Sequence, residues 1–190
     1  NNADVSVTNT NSSSPGNAYA GGMVGYLAST SSNGLFNCFA RGEITATTSY
    51  SGARTAAGGL AGYMNSSAAT VSNCYSSTTT SISGAGSDSG AGGVVGHCYA
   101  GSFSNCYWNS GLTEDGCSNE TEGLTAKTTA DMQAAAFVTL LNTNKGDYKT
   151  WIADTGINDD YPIHERSAAP TGAVWTQLEG SNRYGTMAAI

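Results

Sequence analysis

The stretch AGGLAGY at residues 57–63, followed by VSNCY at residues 71–75, decides the fold because close copies of both blocks occur on either side of it. The copies are AGGMVGY at 20–26 and AGGVVGH at 91–97 for the first block, and LFNCF at 35–39 and FSNCY at 103–107 for the second. Successive first blocks are 37 and then 34 residues apart, and successive second blocks are 36 and then 32 residues apart. A period of this size is typical of solenoids, propellers and repeat arrays.

The repeats predict strands rather than helices. No stretch before residue 125 carries apolar residues at helical spacing, and Gly, Ser, Thr and Asn are poor helix formers. In each repeat we expect one strand around the Gly-Gly block, a second around the Asn-Cys-aromatic block, and a third through the positions of Val7, Ile44 and Ile82. We also expect residues 1–8 to be the tail of a preceding repeat and the sequence to be a piece of a longer chain. One repeat is too small to bury its own apolar face, so we expect stability to come from stacking of each coil on the next.

Stacking would align equivalent side chains in columns along the repeat axis. The predicted interior columns are Met23, Leu60 and Val94; Leu35, Val71 and Phe103; and Cys38, Cys74 and Cys106. We expect the three cysteines to be buried free thiols that act as small hydrophobic groups. The equivalent residues Asn37, Asn73 and Asn105 are expected to form a ladder of amide hydrogen bonds. Cys98 and Cys117 fall outside these columns and are the better candidates for a disulfide.

These blocks resemble the GLUG motif, a repeat of bacterial surface proteins that include immunoglobulin-cleaving peptidases and adhesin-like chains. The resemblance covers residues 1–110 and implies a mainly β fold, a β-solenoid or β-roll of about three coils. His97 stands where the other copies have an aromatic residue. The resemblance implies an extracellular location on the bacterial cell surface more strongly than it implies any activity.

Residues 111–166 are expected to form a small α+β cap over the open end of the coils, whose unpaired strand edges would otherwise favour association. Thr128 and Asp131 match a capping box, and apolar residues at helical spacing predict a helix over 129–142. Two short strands are expected at 151–153 and 161–163, with a turn between them. The order of residues is similar to the segment that commonly ends GLUG arrays.

Residues 167–173 have the composition of a linker, and residues 174–190 resemble the opening of a clostridial-type cell-wall-binding repeat. The residues that carry much of this resemblance are Gly180, Ser181, Asn182, Arg183 and Tyr184. Such repeats occur in tandem and hold proteins to wall polymers. The resemblance therefore implies a wall-anchored protein that contacts the cell-wall polymer through further repeats beyond this sequence.

Composition and charge exclude several classes of function. Gly, Ser, Thr and Asn supply 88 of the 190 residues, yet 39% are hydrophobic, which is enough for a core. The net charge is −7, and only five of the 21 charged side chains precede residue 111. Nothing provides a basic surface for nucleic acid, and no run approaches the roughly 18 apolar residues of a membrane span.

Catalysis in the repeats is not expected. Solenoid enzymes that degrade polysaccharides need clustered carboxylates, whereas Asp4, Glu43 and Asp88 occupy unrelated repeat positions. The chain has no Cys-x-x-Cys pair, and its two histidines are 67 residues apart, so no metal or cofactor is expected. Tyrosines at repeat positions are predicted either to pack on the outer walls or to line a sugar-binding face.

The sequence thus predicts a non-catalytic structural or adhesive module of an exported, wall-anchored bacterial surface protein, whose partner is a host glycan or protein. The alternative is an accessory substrate-targeting region of a surface protease or of a polysaccharide-degrading enzyme. A third hypothesis is an autonomous carbohydrate-binding module.

Overall fold

The computed structural model describes residues 4–12, 16–28, 34–84, 86, 88–120, 122–154, 156–165, 173–174 and 188–189. The fold is mainly β, and its three largest sheets consist of parallel strands. Sheet A contains β1 (Val5–Asn9), β5 (Phe39–Thr48), β8 (Tyr75–Ser83), β11 (Cys106–Asn109) and β12 (Leu124–Lys127). Sheet B contains β2 (Ala18–Gly21), β6 (Thr55–Gly58) and β9 (Gly90–Gly92). Sheet C contains β3 (Val24–Leu27), β7 (Ala61–Ser72) and β10 (Val95–Ser104), while β4 (Gly34–Phe36) pairs with the end of β7.

The strands pair in the register that the sequence repeats define. Every repeat contributes to each sheet, and its strands lie parallel to those of the next repeat. The aligned positions include Ala20, Ala57 and Ala91 in sheet B; Tyr26, Tyr63 and His97 in sheet C; and Phe39, Tyr75 and Tyr107 in sheet A. Equivalent residues of the three copies are therefore neighbours across the strands.

The strand boundaries differ from the predicted ones. The Gly-Gly block is a corner, since β6 ends at Gly58 and β7 begins at Ala61. The predicted second and third strands are a single strand, because β5 runs from Phe39 through Ile44 to Thr48. Between sheets C and A the chain turns at an asparagine of positive φ. These asparagines are Asn37, Asn73 and Asn105, with φ of 52°, 50° and 52°. Asparagine tolerates this left-handed conformation better than most residues.

Sheets B and C approach each other closely at a second set of glycines. A Cβ built on Gly62 would lie 2.8 Å from the backbone nitrogen of Ala20, and one built on Gly96 would lie 2.7 Å from that of Ala57. Any side chain would therefore displace the neighbouring backbone, so these positions require glycine.

The interior between the sheets contains most of the predicted column residues. Leu60, Val71, Cys74, Val94, Phe103 and Cys106 are buried in one cluster, with Leu35 and Cys38 half-buried against it. The prediction that Met23 lies in the interior is wrong, because its side chain is 46% exposed. Among the described residues, β1 extends sheet A beyond the first repeat, whereas sheets B and C end there. Met23 therefore has the column position but lies at an uncovered end.

Residues 111–165 divide into a first part that pairs with the end of the last repeat and a second part that packs elsewhere. Strand pairing continues past residue 110, since β12 pairs with β11 and Cys117 forms a bridge with Val95. The remainder, residues 129–165, is called the flank segment here. It packs on the aromatic residues Phe39, Tyr75 and Tyr107 of sheet A. Tyr75 and Tyr107 follow buried cysteines, and side chains alternate along a strand, so the flank segment covers the outer face of sheet A.

The flank segment contains two helices and two short strands. The capping box is present, with the Asp131 N–H donating to Thr128 Oγ1 at 3.1 Å. The single predicted helix is divided into α1 (Thr129–Gln133) and α2 (Ala135–Asn144), because Ala134 has an extended backbone with ψ of 147°. β13 (Trp151–Ile152) and β14 (Ile163–His164) pair in antiparallel fashion, close to the two predicted strands.

Beyond the flank segment the structure describes one antiparallel pair, β15 (Ala173–Val174) and β16 (Ala188–Ala189). Residues 167–172 of the predicted linker lie outside the described residues, as do Gly180, Ser181, Asn182, Arg183 and Tyr184 of the wall-repeat motif. Neither helix in the described ranges has the length and hydrophobicity needed to cross a membrane.

Candidate functional site

The candidate site is a stack of rings on the outside of sheets B and C, which we call the aromatic column. Its members are Tyr19, Tyr26, Tyr63 and His97. The Tyr63 ring lies 4.8 Å from the Tyr19 ring, 5.8 Å from the Tyr26 ring and 5.4 Å from the His97 ring, measured between centroids. All these pairs are stacked, which is a favourable arrangement of aromatic groups.

The backbone explains why the rings point outward. Tyr26, Tyr63 and His97 each follow a glycine that lies against the backbone of sheet B. Because successive residues of a strand face opposite sides, the next side chain must point away from that contact. In sheet B, Tyr19 pairs with Ala56, which pairs with Gly90. Only the first repeat thus carries a large side chain at that position. Tyr63 and His97 have no equivalent of Tyr19 in their own repeats, where the position is Ala56 and Gly90.

Arg54 and Asp88 border the column and neutralise each other. Arg54 Nε donates to Asp88 Oδ2 at 3.1 Å, and the guanidinium carbon lies 5.9 Å from the centroid of the Tyr63 ring. The side chains of this pair are 42% and 37% exposed, so both remain within reach of solvent. Burial raises the pKa of the Tyr19 hydroxyl, and the neighbouring Arg54 partly offsets that effect. The border of the column therefore offers a donor and an acceptor with no net charge.

The terminal ring Tyr26 and the central ring Tyr63 differ in exposure. Tyr26 is 45% exposed, and its hydroxyl accepts a hydrogen bond from Asn65 Nδ2 at 3.1 Å. Tyr63 is only 1% exposed, and its hydroxyl has no hydrogen-bond partner among the described residues. Burial of an unpaired hydroxyl costs about 1–3 kcal/mol. Burial also lowers the pKa of His97, whose Nδ1 lies 3.4 Å from Ser118 Oγ.

The three stacked cysteines belong to the interior rather than to this surface. Cys74 and Cys106 are buried and Cys38 is half-buried. The Cys38 N–H donates to Cys74 Sγ at 3.3 Å, and Cys106 Sγ donates to the Val71 carbonyl at 3.1 Å. Burial raises the pKa of Cys74 well above its usual value, as expected for an unreactive structural thiol.

The predicted bridge between Cys98 and Cys117 is not formed, since all five cysteines are free thiols. Both residues are buried in the same apolar cluster as the cysteine column. Burial raises the pKa of Cys98 to about 12. Its backbone N–H donates to Asn119 Oδ1 at 2.9 Å, so Cys98 too is a buried structural residue.

Two of the three predicted ladder asparagines are linked, and they hold the flank segment. Asn73 Nδ2 donates to Asn37 Oδ1 at 2.7 Å and to the Leu141 carbonyl at 3.1 Å. Trp151 Nε1 donates to Asn37 Oδ1 at 2.6 Å. Asn105 is exposed and instead donates to Ser104 Oγ at 3.2 Å. The ladder therefore stops where the flank segment no longer covers the corner.

The prediction that the acidic residues of the repeats occupy unrelated positions is wrong for Asp4 and Glu43, because β1 and β5 align Val5 with Ile44 and so make these two acids neighbours. Asp4 Oδ1 accepts the Glu43 N–H at 2.8 Å, whereas Asp88 is engaged by Arg54 in another part of the molecule. In the part of the chain that the structure describes, no three His, Cys, Asp or Glu side chains are placed to hold a metal ion. What the site offers is therefore aromatic surface and neutral hydrogen bonding.

Sequence reasoning missed the role of Arg54. A usable signal was present, because Arg54 and Asp88 lie 34 residues apart, which is one repeat period, in a region with few other charges. The two residues therefore occupy nearly the same place in successive repeats and become neighbours when the strands pair. Opposite charges separated by one period predict a contact between repeats.

A scan against protein-family models gave no match, and searches of curated proteins and of solved structures gave none either. A functional assignment therefore depends on the geometry described above and on the resemblances in the sequence.

Proposed function

We propose that the repeats form a short β-solenoid, and that this solenoid is a non-catalytic structural or adhesive module of an exported, wall-anchored bacterial surface protein. One observation carries the proposal: each repeat supplies strands to the same three parallel sheets, in register with the next repeat. Such a stack becomes longer when repeats are added, which suits a protein that presents a binding surface at a distance from the cell.

Hydrogen bonds across the corners support a rigid module. The Met23 N–H donates to the Leu60 carbonyl at 3.0 Å, and the Leu60 N–H donates to the Val94 carbonyl at 2.8 Å. Pairing between repeats thus continues where the chain changes direction. The GLUG resemblance of residues 1–110 supports a location on the cell surface, and the resemblance of residues 174–190 supports attachment to the wall.

The solenoid is tested by adding one repeat. A second copy of residues 18–54 is inserted between Asn17 and Ala18, so that the new coil lies between β1 and the first repeat. We expect a soluble chain with a larger β signal in circular dichroism and a larger denaturant m-value, because more surface is buried on folding. A chain with a shuffled insert of the same composition is the control. Loss of folding with both inserts would contradict the solenoid.

The display function is tested on a cell surface. The chain is expressed between a wall anchor and an epitope tag on a Gram-positive bacterium, and a flexible Gly/Ser linker of equal length replaces it in the control. We expect the tag to be accessible to antibody and the chain to survive a dose of thermolysin that cleaves the linker. Cleavage of both at the same rate would rule out a rigid display module.

The exposed Tyr26 ring of the aromatic column favours a second candidate, an accessory region that directs a surface enzyme to its substrate. This candidate predicts that a catalytic region elsewhere in the same protein loses activity on polymeric substrate, and keeps it on short soluble substrate, when residues 1–165 are deleted. The leading proposal predicts that both activities change equally.

A further inference from the structure

Among the described residues, Tyr26 is the last ring on one side of the aromatic column. The Tyr26 ring stacks on the Tyr19 ring and on the Tyr63 ring, at centroid distances of 5.5 and 5.8 Å. Its side chain is nevertheless 45% exposed. Its hydroxyl is fixed by Asn65. An aromatic ring held in one orientation with an exposed face is suited to pack against the C–H face of a rigid ligand, because little conformational freedom is lost on binding.

A polar pair borders Tyr63, the ring next to Tyr26 in the column. Arg54 and Asp88 form a half-exposed ion pair beside Tyr63, and together they present donors and acceptors without net charge. The Tyr63 hydroxyl is buried without a partner next to this pair. The guanidinium carbon of Arg54 lies 5.9 Å from the centroid of this ring, so the ion pair is next to the column.

We infer that the aromatic column binds a neutral pyranose oligosaccharide, with a sugar ring against Tyr26 and sugar hydroxyls at the half-exposed Arg54–Asp88 pair. The inference rests on the adhesive part of the proposed function and names its ligand class. A neutral sugar fits because the paired charges cancel and because the chain as a whole carries −7, which disfavours acidic polymers. The Tyr26 and Tyr63 centroids are 5.8 Å apart and Arg54 lies 5.9 Å from the Tyr63 centroid, so a ligand that contacts both Tyr26 and the ion pair spans up to about 12 Å, and an oligosaccharide fits better than a single sugar.

The test is titration of the 190-residue chain with three probes, followed by NMR and calorimetry. Chitotetraose and cellotetraose represent wall and plant glycans, and lacto-N-neotetraose represents host glycans. We expect saturable binding of at least one probe, with shifts of the Tyr26 ring resonances. The probe that binds most tightly of the three identifies the source of the glycan.

Variants locate the site. Tyr26→Ala is expected to weaken binding about 10-fold, whereas Tyr26→Phe keeps the ring and is expected to stay within about threefold of the original affinity. Tyr99→Ala is the matched control, because Tyr99 is 64% exposed and lies outside the column. It should bind as the original chain does. Melting temperatures of all variants are measured first, to show that each is folded.

Two results would overturn the inference. One is the lack of saturable binding of any probe at millimolar concentration, and the other is equal affinity of Tyr26→Ala and the original chain. Neither result bears on the repeat-insertion experiment, which measures folding alone. Failure of glycan binding is thus distinguishable from failure of the proposed solenoid.

Discussion

Residues at the same repeat position do not contribute equally, because the ends of the stack differ from its middle. Leu60 and Val94 are fully buried, while the equivalent Met23 is exposed. Asn73 bonds both to its neighbour in the stack and to the flank segment, while the equivalent Asn105 is exposed. The sequence repeat predicts which residues align, but burial depends on what covers each copy.

This difference is tested first in the interior column. Leu60→Ala is expected to lower the free energy of unfolding by about 3 kcal/mol, because it removes a buried side chain and leaves a cavity. Met23→Ala is expected to cost less than about 1 kcal/mol, since Met23 is already in contact with solvent. Urea unfolding curves of the two variants provide the measurement. Equal losses would show that Met23 is covered in solution.

The corner asparagines give a second test. Asn73→Ala and Asn105→Ala both place alanine at positive φ, at a cost of about 1–2 kcal/mol. Asn73→Ala is expected to cost about 1 kcal/mol more, because the bonds to Asn37 and Leu141 are lost. The glycine variants remove the backbone penalty and isolate the hydrogen bonds. Thermal denaturation of all four should rank Asn73→Ala as the least stable.

At the scale of elements, the sequence predicted the kinds of structure better than their limits. The capping box at Thr128 and Asp131 was visible in the sequence and begins α1. The division of the helix at Ala134 was not visible, because alanine is a strong helix former and only tertiary packing explains an extended residue there. The repeat pattern predicts a strand through Gly-Gly, whereas its role as a corner depends on sheet B meeting sheet C, which the pattern does not show.

The position of the flank segment was also beyond local reasoning. Phe39, Tyr75 and Tyr107 were visible as a repeated aromatic position, but nothing in that pattern says which element covers them. Contacts such as the Tyr75 hydroxyl donating to the Pro162 carbonyl join residues that are 87 positions apart. Arg41 likewise reaches across to pair with Asp159 at 2.8 Å.

Docking of the flank segment should depend on pH. Burial lowers the pKa of His164, whose ring lies 3.9 Å from that of Trp151 and near Asn37 and Lys149. His97 is shifted in the same direction. The unfolded chain, with histidine pKa values near 6.5, therefore binds more protons than the folded chain as pH falls through and below that value. Stability is thus expected to decline from pH 7 to pH 5.

Melting temperatures across this range check the prediction. His164→Gln and His97→Gln should each reduce the slope of melting temperature against pH, and the double variant should reduce it most. The lowered pKa of Asp131 acts in the same direction but only below about pH 4. The hydrogen bond with Cys74 lowers the pKa of Cys38 to about 7, which also acts in this direction, so all variants are compared in a Cys38→Ala background. An unchanged slope in the double variant would contradict the assignment to histidine.

On the scale of the whole molecule, the flank segment links repeats that would otherwise contact only their neighbours. It accepts hydrogen bonds from Asn37 in the first repeat and from Tyr75 in the second. It also packs on Tyr107 in the third repeat. Stacks held only by neighbour contacts can lose one end before the other. A segment that contacts three repeats at once should make their unfolding concerted.

Fluorescence can test this coupling because the tryptophans report on different parts. In a Trp175→Phe background, Trp108→Phe leaves Trp151 in the flank segment, and Trp151→Phe leaves Trp108 in sheet A. We expect both probes and far-ultraviolet circular dichroism to give the same urea midpoint. An earlier midpoint for Trp151 would show that the flank segment detaches before the sheets unfold.

The candidate site was predictable in part. The tyrosines at repeat positions were recognised as wall packing or as a sugar-binding face, but their grouping was not, because Tyr19 comes from sheet B and Tyr63 from sheet C. The two sheets can approach this closely because Gly62 and Gly96 have no side chains that would hold the two backbones apart. Arg54 joins the group through a contact with Asp88 between repeats.

The reach of the flank segment also limits how the gene can change. Duplicating or losing a unit among the three that it touches would shift Asn37, Tyr75 or Tyr107 away from their partners. Recombination between β1 and β2 would leave all those contacts in place. Relatives of different length should therefore vary in copy number on the Met23 side and keep the same three units beside the helices.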